Sequence, residues 1–484
     1  MKRSKLVVIG IDSLEPSFVN KLIDHGVSKG FAQFREAGII RHLKSTFPPD
    51  TLLAWPTIYT GLLPYRFGLK PEPEDIHTLR EESIKIRQKL KGKTFWDILS
   101  RKKKKVLVIN PIFGYPPWKV NGFMVSGPCF GLRGEPLSQP PLEYISKYRL
   151  GTYGKTPLLP HEYKLVWNEA LEQLISVFEL TYKMVGGDDY DIVFFADYTL
   201  DRIQHYYWDF EDGNSASRYI WGDELRNAIT NYYRLLDSMI NWLINKLGDE
   251  YTFIVLGDHG HKARPHTLIA LDDMLNGTRN TISFKEVTKH ILYMFLYNSG
   301  LDKISYYFAK KLQEKNLLGR LIKKKTGSNS TERMIETLWE FGLKEYVGIK
   351  VIGNKGKYLK NEILSKVSRI LIEKGLAEFV LSPSQYYELS EPVNVDADLY
   401  IKLMDGFGNM QSEGSFKYIP NYTRGIIPGG HAMYSLFMIY STRLNYKVLA
   451  PIVRVQDVTP SILSIMDIWT DEEHFDGIRV VENV

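Results

Sequence analysis

Short apolar runs recur along the chain, and each stops abruptly at a polar residue or a glycine. The clearest runs are KLVVIGID at 5–12, KVLVINP at 105–111, DIVFFAD at 191–197 and TFIVLGDHG at 252–260. Runs that stay apolar at consecutive positions are buried on both faces, which is typical of parallel strands covered by helices on either side. The pattern therefore predicts an α/β fold with a mostly parallel central sheet and helices on both faces.

A helical spacing of apolar residues is clearest from about Glu224 to Leu247. The apolar stripe consists of Leu225, Ile229, Tyr232, Leu235, Leu236, Met239, Ile240 and Leu243. Such spacing predicts an amphipathic helix with its apolar face on the core. The apolar run at 252–260 follows directly, so these residues are expected to form a helix-to-strand unit of the sheet.

The pattern changes between residues 262 and 347, where the sequence becomes rich in lysine and helical in its spacing. Strand-like runs return at 348–352 (GIKVI) and 396–403 (DADLYIKL). We therefore expect three parts: residues 1–261 as the first part of the core, residues 262–347 as a mainly helical insertion or cap, and residues 348–484 as the second part of the core.

The composition is that of a folded globular protein, because 44% of its 484 residues are hydrophobic and 24% are charged. The net charge of +6 fits an anionic small ligand, and it fits a mildly basic surface equally well. The single cysteine, Cys129, excludes an internal disulfide framework and a cysteine-based zinc site. Cysteine usage therefore favours a reducing compartment.

The N-terminus starts with basic residues and a short apolar run, as a signal peptide does. Asp12 interrupts this run, however, and no small-residue cleavage site follows. No apolar stretch reaches the roughly 18 to 20 residues that cross a bilayer. We therefore expect a cytoplasmic protein without a membrane span. A nucleic-acid polymer is not expected as a partner, and the oligomeric state is left open.

Acidic residues end several of the apolar runs. Asp12 ends the first run, Asp201 follows DIVFFAD, and Asp258 ends TFIVLG. A lone Asp after a strand is ordinarily a turn residue or a helix cap. Ligands of open parallel sheets, however, bind beyond the carboxyl ends of the strands, and three acids at such ends favour a common site.

Histidines accompany these acids in a pattern that suits a metal ion. Asp201 and His205 are four residues apart, so they lie on one face of a helix and can reach one cation. Asp258 and His259 are adjacent in a tight turn, and His431 lies in the glycine-rich turn IIPGGHAMY. Mixed imidazole and carboxylate ligation suits zinc best, with manganese or iron as competitors.

A nucleophile candidate follows the segment Pro-Pro-Asp at 48–50. Thr51 begins a predicted helix there, and the N-terminus of a helix favours an alkoxide or a bound phosphate. The alternative is that Asp50 or Thr51 is simply the N-cap of this helix. A metal ion on the hydroxyl would supply the activation that a threonine lacks.

Together these motifs resemble the alkaline phosphatase superfamily, specifically its type I phosphodiesterase and nucleotide pyrophosphatase family and the related predicted phosphohydrolases or phosphomutases. That family opens with a strand ending in a metal-binding Asp, here Asp12. It places a Thr or Ser nucleophile ten residues before the Gly of a Thr-Gly pair, and counting back from Gly61 gives Thr51. Its later motifs match three places in this chain: Asp201 to His205 (Asp-x-x-x-His), Asp258-His259-Gly260 (Asp-His-Gly) and Gly430-His431 (Gly-His).

The resemblance implies an alkaline-phosphatase-like fold and two divalent metal ions, zinc or manganese. One ion would be bound by Asp201, His205 and His431, and the other by Asp12, Thr51, Asp258 and His259. Thr51 would attack the phosphorus of a small phosphate ester and form a phosphothreonine intermediate, which water then hydrolyses. A phosphodiesterase is the expected activity. The alternatives are a phosphomutase with the same site and a binding protein without turnover.

The sequence departs from the nucleotide pyrophosphatases after the Thr-Gly pair. Those enzymes commonly have a His-Gly and then an Asn that holds a phosphate oxygen, whereas this chain has Phe67 for the His and Glu72 near the Asn position. Nucleotide specificity is therefore not implied. Lys70 could replace the missing contact, or it is an ordinary exposed lysine. His261 and His266, just beyond the Asp-His pair, could face the substrate.

Overall fold

The centre of the computed structural model is a nine-stranded sheet with helices packed on both faces. The structure describes residues 5–71, 76–151, 156–211, 225–276, 284–301, 334–338, 344–353, 357–393, 395–410, 418–420, 424, 427–468 and 474–483. Its described strands are β1 (Lys5–Ile11), β2 (Gly38–Lys44), β3 (Val106–Ile109), β4 (Gly122–Ser126), β5 (Leu137–Gln139), β6 (Ile192–Asp197), β7 (Tyr251–Leu256), β8 (Gly260–Ala263), β9 (Thr267–Ile269), β10 (Ile335–Leu338), β11 (Tyr346–Val351), β12 (Ala377–Leu381), β13 (Leu399–Leu403), β14 (Phe407–Asn409), β15 (Tyr418–Pro420), β16 (Gly429–Ala432), β17 (Tyr434–Tyr440), β18 (Tyr446–Val448), β19 (Ile452–Arg454) and β20 (Val481–Asn483). Its described helices are α1 (Pro16–Asp24), α2 (Gly30–Glu36), α3 (Thr51–Thr60), α4 (Ile76–Leu90), α5 (Phe95–Arg101), α6 (Pro160–Gly187), α7 (Thr199–Glu211), α8 (Ala228–Leu247), α9 (Leu271–Leu275), α10 (Phe284–Asn298), α11 (Lys357–Glu373), α12 (Pro383–Tyr387) and α13 (Val458–Ile465).

The large sheet has the strand order β19-β2-β17-β7-β1-β6-β3-β4-β5. Within this order only β17 and β5 run antiparallel to the other strands. The four apolar runs singled out in the sequence form β1, β3, β6 and β7, which are neighbours in the middle of the sheet. The predicted α/β class with a mostly parallel sheet is confirmed.

Strand β1 shows why these runs are apolar at every position. Its side chains alternate between the faces of the sheet, as in any strand. Val7, Ile9 and Ile11 pack in the hydrophobic core on one face, with helices α1, α2, α6, α7 and α8. Leu6 and Val8 pack in the core on the other face, with α3, α5 and α13. Both faces are covered, so every residue of the strand from Leu6 to Ile11 is buried.

The predicted helix before β7 is α8, Ala228–Leu247. Its stripe residues Ile229, Tyr232, Leu236 and Ile240 are fully buried against the sheet. Residues 212–224, which include the predicted start at Glu224, lie outside the described residues. The helix-to-strand unit is confirmed.

A smaller antiparallel sheet, in the order β10-β11-β13-β12, packs on helix α11 through a separate hydrophobic core. Aromatic residues of its strand β13 and of helix α12 also contact the segment that precedes Thr51. Tyr386 Oη donates to the carbonyl of Ser45 at 2.9 Å, and the backbone N–H of Phe47 donates to Tyr387 Oη at 3.0 Å. Phe47 stacks on Tyr400, with ring centroids 4.4 Å apart. The smaller sheet therefore supports the backbone that leads to Thr51.

The predicted insertion at 262–347 contains α9, α10, β9 and β10 within its described residues. Its predicted end at 347 falls inside β11, and 277–283, 302–333 and 339–343 lie outside the described residues. The three-part division of the chain stays a prediction.

None of the helices in the described ranges is both long enough and apolar enough to cross a bilayer.

Candidate functional site

The predicted site residues meet at the carboxyl ends of three adjacent strands. Asp12 follows β1, Asp201 lies in the first turn of α7 after β6, and Asp258 follows β7. These strands are neighbours in the sheet, in the order β7-β1-β6. The two-stranded antiparallel sheet of β8 and β16 brings His431 to the same edge, because His431 pairs with His261 in its register. The sheet order therefore gathers residues that are more than 400 positions apart in the chain.

Three side chains form what we call the inner set: Asp12, Asp258 and His259. Their ligand atoms lie within 4.8 Å of one another, and all three side chains are buried. His259 Nε2 is 3.5 Å from Asp12 Oδ1 and 3.4 Å from Asp258 Oδ2. One cation could therefore contact all three.

Three further side chains form what we call the outer set: Asp201, His205 and His431. His205 Nε2 is 3.3 Å from Asp201 Oδ2 and 3.0 Å from His431 Nε2, and His431 Nε2 is 3.5 Å from Asp201 Oδ1. The two sets adjoin, since the rings of His259 and His431 stack with centroids 3.8 Å apart. The structure thus brings all six predicted metal ligands other than Thr51 into one cluster.

Each ligand histidine has its Nδ1 on a backbone carbonyl. His205 Nδ1 bonds the carbonyl of Gly429 at 2.9 Å, His259 Nδ1 that of Gly260 at 3.0 Å, and His431 Nδ1 that of Pro49 at 2.7 Å. A carbonyl only accepts, so each Nδ1 carries the proton. The Nε2 atoms, which face the acids, are left with the lone pair that a metal ion needs.

Three buried carboxylate oxygens have no hydrogen-bond partner among the described residues: Asp12 Oδ1, Asp201 Oδ1 and Asp258 Oδ2. Each is the oxygen that faces its neighbours in the cluster. An unpartnered buried acceptor is costly, and a divalent cation in contact with these oxygens would remove the cost. The donor set therefore fits metal ions.

The electrostatics of the inner set point the same way. Burial raises the pKa of Asp12 well above its usual value, and repulsion from Asp258 raises it further. Burial raises the pKa of Asp258 to about 7. Burial also lowers the pKa of His259, which keeps its imidazole neutral. Two acids and a neutral imidazole thus share a buried space without a positive charge of their own.

The outer set, in contrast, contains its own ion pair. Burial acts to raise the pKa of Asp201, but attraction from His205 and His431 outweighs it and holds this pKa well below its usual value. Burial acts to lower the pKa of His431, and the hydrogen bond and charge of Asp201 outweigh it and raise this pKa. Without a metal ion, the Asp201 carboxylate therefore favours a second proton on His431, at Nε2, and a metal ion bound there would replace that proton.

The capping alternative for Thr51 is settled by Asp50. Asp50 is the N-cap of α3, and its side chain accepts from the backbone N–H of Leu52 at 2.9 Å. Thr51 is the first helical residue, so its hydroxyl is not used for capping. Thr51 Oγ1 lies 3.2 Å from His259 Nε2, at the inner set.

Several supporting residues were not predicted from the sequence. Trp55 Nε1 donates to Asp12 Oδ2 at 3.1 Å, and the backbone N–H of Ser13 donates to Asp258 Oδ1 at 3.1 Å. Trp55 is four residues after Thr51, so the helical repeat places both on one face of α3, and this spacing could have revealed it. Gly10 makes room for Trp55, because a Cβ at Gly10 would lie 2.7 Å from the indole ring.

The other residues singled out in the sequence lie away from the cluster or behind it. Phe67 is buried, Glu72 lies outside the described residues, and Lys70 is exposed and forms a surface ion pair with Asp396 at 3.4 Å. The ring of His266 packs against Tyr297, with centroids 4.6 Å apart. His261 is only 1% exposed, so it lies behind the ligands instead of facing the solvent.

A cleft of about 190 Å³ opens between the start of α3 and the smaller sheet. Its aromatic walls are Phe47, Tyr65, Tyr387 and Tyr400, and Lys70 and Asp396 lie at it as an ion pair. Two residues of its lining, Phe47 and Leu53, stand on either side of Thr51 in the sequence. The cleft therefore adjoins the segment that carries Thr51, does not include Thr51 in its lining, and is largely apolar.

Comparison with known proteins gives one family and two similar structures. The sequence profile of the family described as type I phosphodiesterase / nucleotide pyrophosphatase matches residues 6–323, which include every predicted site residue except His431. Two solved structures of phosphonoacetate hydrolase from Sinorhizobium meliloti 1021, in complex with phosphonoformate and with phosphonoacetate, are similar with a TM-score of 0.46, at 13% and 12% identity, over 95% of this chain and 94% of theirs. Similarity of that degree assigns no activity. None of the curated proteins matches this chain.

Proposed function

Because this chain belongs to the type I phosphodiesterase / nucleotide pyrophosphatase family, and is thereby a metal-dependent phosphoric ester hydrolase, we propose that it cleaves a small phosphodiester at a site for two divalent cations. Thr51 is the nucleophile of this proposal. The inner set and Thr51 hold one cation, and the outer set holds the other. Zinc is the preferred ion because imidazole and carboxylate ligands are mixed, and manganese is the competitor.

The observation that carries the proposal is the convergence of bare ligand atoms beside one hydroxyl. Three unpartnered carboxylate oxygens and three imidazole Nε2 atoms face one another next to Thr51 Oγ1. A purely structural cluster of buried acids and imidazoles would pair its oxygens with donors. Cations bound here would polarise the Thr51 hydroxyl and stabilise negative charge on the reacting phosphoryl group.

The chain's own groups prepare the nucleophile. Asp50 caps α3 and fixes the orientation of its first turn, so the positive end of the helix lies at Thr51. Trp55, one turn further along, holds the carboxylate of Asp12 through its indole N–H. Attack by Thr51 Oγ1 on phosphorus would expel one alcohol or phenol of the diester and leave a phosphothreonine that still carries the second ester group. Water would then cleave the bond between Oγ1 and phosphorus, release a phosphate monoester and restore the hydroxyl.

The test of this function is turnover of bis(p-nitrophenyl) phosphate and p-nitrophenyl phosphate, with zinc or manganese and after chelation. Native protein should turn over the diester faster than the monoester, and only with metal. Thr51→Ala should lower kcat/KM by at least about 10³-fold, since it removes the nucleophile. Thr51→Ser, which keeps a hydroxyl at the same carbon, is the matched control and should stay active.

Two results would speak against the proposal. Undiminished turnover by Thr51→Ala would exclude Thr51 as nucleophile. Absence of solvent oxygen-18 from the phosphate product would favour the phosphomutase alternative, because only hydrolysis puts a solvent oxygen on phosphorus.

We further propose that the aromatic cleft receives the leaving group of the diester. The cleft adjoins the segment that carries Thr51, and its apolar walls suit a flat or apolar leaving group. Tyr65→Ala should raise KM for bis(p-nitrophenyl) phosphate by about 3-fold to 10-fold, since it removes one aromatic contact. Methyl p-nitrophenyl phosphate, which loses p-nitrophenol and keeps its methyl group, should show the same rise in KM if the cleft receives the leaving group. Tyr358→Ala is the control, because Tyr358 is 85% exposed and does not line the cleft. Equal KM values for native protein and Tyr65→Ala would rule the cleft out.

A further inference from the structure

His261 is a buried histidine that belongs to neither ligand set. It lies in β8, two residues after His259, and is 1% exposed. Its Nδ1 is 2.8 Å from Ser13 Oγ and 3.6 Å from Asp201 Oδ1. One nitrogen of this ring therefore faces a residue beside the inner set and a ligand of the outer set.

The other nitrogen, Nε2, faces the backbone of Gly429. His261 Nε2 has no hydrogen-bond partner among the described residues, and a Cβ at Gly429 would lie 2.4 Å from it. The backbone of Gly429 therefore lies close against Nε2. An N–H that stays unpaired in a buried place is rarer than an unpaired acceptor. The proton therefore belongs on Nδ1, where Ser13 Oγ accepts it at 2.8 Å and the Asp201 carboxylate lies 3.6 Å away.

This tautomer sets the direction of a hydrogen-bond chain. His261 Nδ1–H donates to Ser13 Oγ, which leaves the Ser13 hydroxyl to donate to the carbonyl of Gly260 at 3.3 Å. The same carbonyl accepts the Nδ1–H of His259. The backbone N–H of Ser13 donates to Asp258 Oδ1. The hydrogen-bond chain thus starts at His261, whose Nδ1 lies 3.6 Å from Asp201 Oδ1 of the outer set, and ends on groups that orient Asp258 and His259 in the inner set.

Hydrogen bonds from neighbouring residues hold the Ser13 and His261 backbone of this hydrogen-bond chain in place. The backbone N–H of His261 donates to Glu15 Oε2 at 3.0 Å, and Gln204 Nε2 donates to the carbonyl of Ser13 at 2.7 Å. Gln204 lies on α7, the helix that carries Asp201 and His205. Ser13 itself has a left-handed backbone conformation, with φ of 66°. Helix α7, the loop after β1 and strand β8 are therefore joined by hydrogen bonds around the His261 ring.

We propose that His261 is a positioning residue that sets the outer ligand set relative to the inner one, through the Nδ1–H that it donates to Ser13 and through the contact of its ring with the Asp201 carboxylate. The inference rests on the proposed metal site, because its effect is on the geometry of the ligands. His261 touches no substrate. Groups that orient metal ligands typically change metal affinity or activity by about 10-fold to 100-fold when they are removed.

Three variants at one position test which atom matters. His261→Leu removes both nitrogens, His261→Asn places an amide nitrogen near the position of Nδ1, and His261→Gln places one near the position of Nε2. Zinc affinity is measured by competition with a fluorescent chelator, and ligand geometry by the visible absorption of the cobalt-substituted protein. We expect His261→Leu and His261→Gln to weaken zinc binding by about 10-fold to 100-fold and to alter the cobalt spectrum. His261→Asn should retain both properties to within a few fold.

Ser13→Ala gives an independent arm, because it removes the hydroxyl of the chain and leaves the ring. It should weaken zinc binding. The double variant of Ser13→Ala and His261→Leu should lose no more free energy of zinc binding than the two single variants lose together. If His261→Leu fails to fold, as judged by the circular dichroism of the metal-free protein, Ser13→Ala and the Asn and Gln pair decide the matter.

The outcomes separate this inference from the proposed function. Native protein that binds no divalent ion would overturn both. Native protein that binds zinc, with His261→Leu or Ser13→Ala equal to it in affinity and spectrum, would overturn the role of His261 alone. Equal behaviour of the Asn and Gln variants would overturn the assignment to Nδ1, and loss of one bound ion in His261→Asn would make His261 a ligand instead.

Discussion

The inner and outer sets use the same residue types at the same edge of the sheet, yet they differ in how charge is balanced. The inner set buries Asp12 and Asp258 beside a neutral imidazole, and the pKa values of both acids are raised. The outer set pairs Asp201 with His431, and their pKa values move in opposite directions. The inner set therefore depends on an external cation for its charge balance, whereas the outer set is partly balanced by itself.

The largest effect is expected from Asp258→Asn, which removes an acid of the inner set next to the nucleophile. We expect kcat/KM to fall by roughly 10³-fold or more, because the cation that would activate Thr51 loses a charged ligand. Metal-free Asp258→Asn should nevertheless melt about 2 °C or more above metal-free native protein at pH 8. Its amide has nearly the shape of the carboxylate and carries no charge to bury.

The sign follows from the pKa of Asp258, which is about 7 in the folded protein and about 4 in an unfolded chain. A raised acid pKa destabilises the fold progressively as pH rises from about 4 to 7, and by a constant amount above that. The gain in melting temperature from Asp258→Asn should grow over the same range. Melting curves with and without a chelator measure this gain. A variant that melts below native protein at pH 8 without metal would contradict the charge imbalance of the inner set.

His431→Ala should give the opposite sign for stability and a smaller loss of activity, roughly 10²-fold. Without metal, the variant leaves Asp201 with one imidazole in place of two, so it should melt below native protein. The pKa of His431 is raised, so its contribution is present below about pH 6.5 and is lost as pH rises through the higher folded value. The difference in melting temperature should therefore shrink from pH 6 to pH 9, and a difference that grows would contradict the ion pair.

Trp55→Phe should give the smallest effect, about 10-fold on zinc affinity. It removes the hydrogen bond from the indole to the carboxylate of Asp12, and bonds to charged groups are worth about 1.5–3 kcal/mol. Trp96→Phe is a matched control, because Trp96 is buried in the same core and its Nε1 has no hydrogen-bond partner among the described residues. Chelator competition on both variants compares them. Equal losses would assign the effect to packing and not to the hydrogen bond.

Much of this site could be predicted because its residues end strands. A polar residue after an apolar run is visible in the sequence, and the rule for parallel sheets places such residues at one edge. Asp12, Asp201 and Asp258 were predicted in this way, Thr51 was predicted from the start of a helix and His431 from its glycine-rich turn, and the resemblance then implied their roles. Ser13, Trp55 and the carbonyls of Pro49 and Gly429 were not found, because their roles depend on distances between segments that the sequence does not record.

The contacts of the smaller sheet and of α12 also could not be predicted from the sequence. The aromatic residues that support the segment before Thr51 come from β13 and α12, more than 300 residues later in the chain. Their sequence pattern predicts buried aromatic residues, and it does not tell which segment they contact. The three-part division of the chain stays a prediction for a similar reason. A change of sequence pattern locates a change of element, and it does not tell that β10 pairs with β11 across position 347.

The sequence by itself determined the class of fold, the order of the central elements and the identity of the ligand candidates. It could do so because the burial of a strand and the chemistry of a side chain are local properties. Tertiary structure alone decided which of the two ligand sets contains its own ion pair, that Asp50 and not Thr51 caps α3, and that His261 stands behind Asp201. These outcomes depend on the angles and distances at which distant segments meet, and electrostatic energy and hydrogen bonding change within about an ångström.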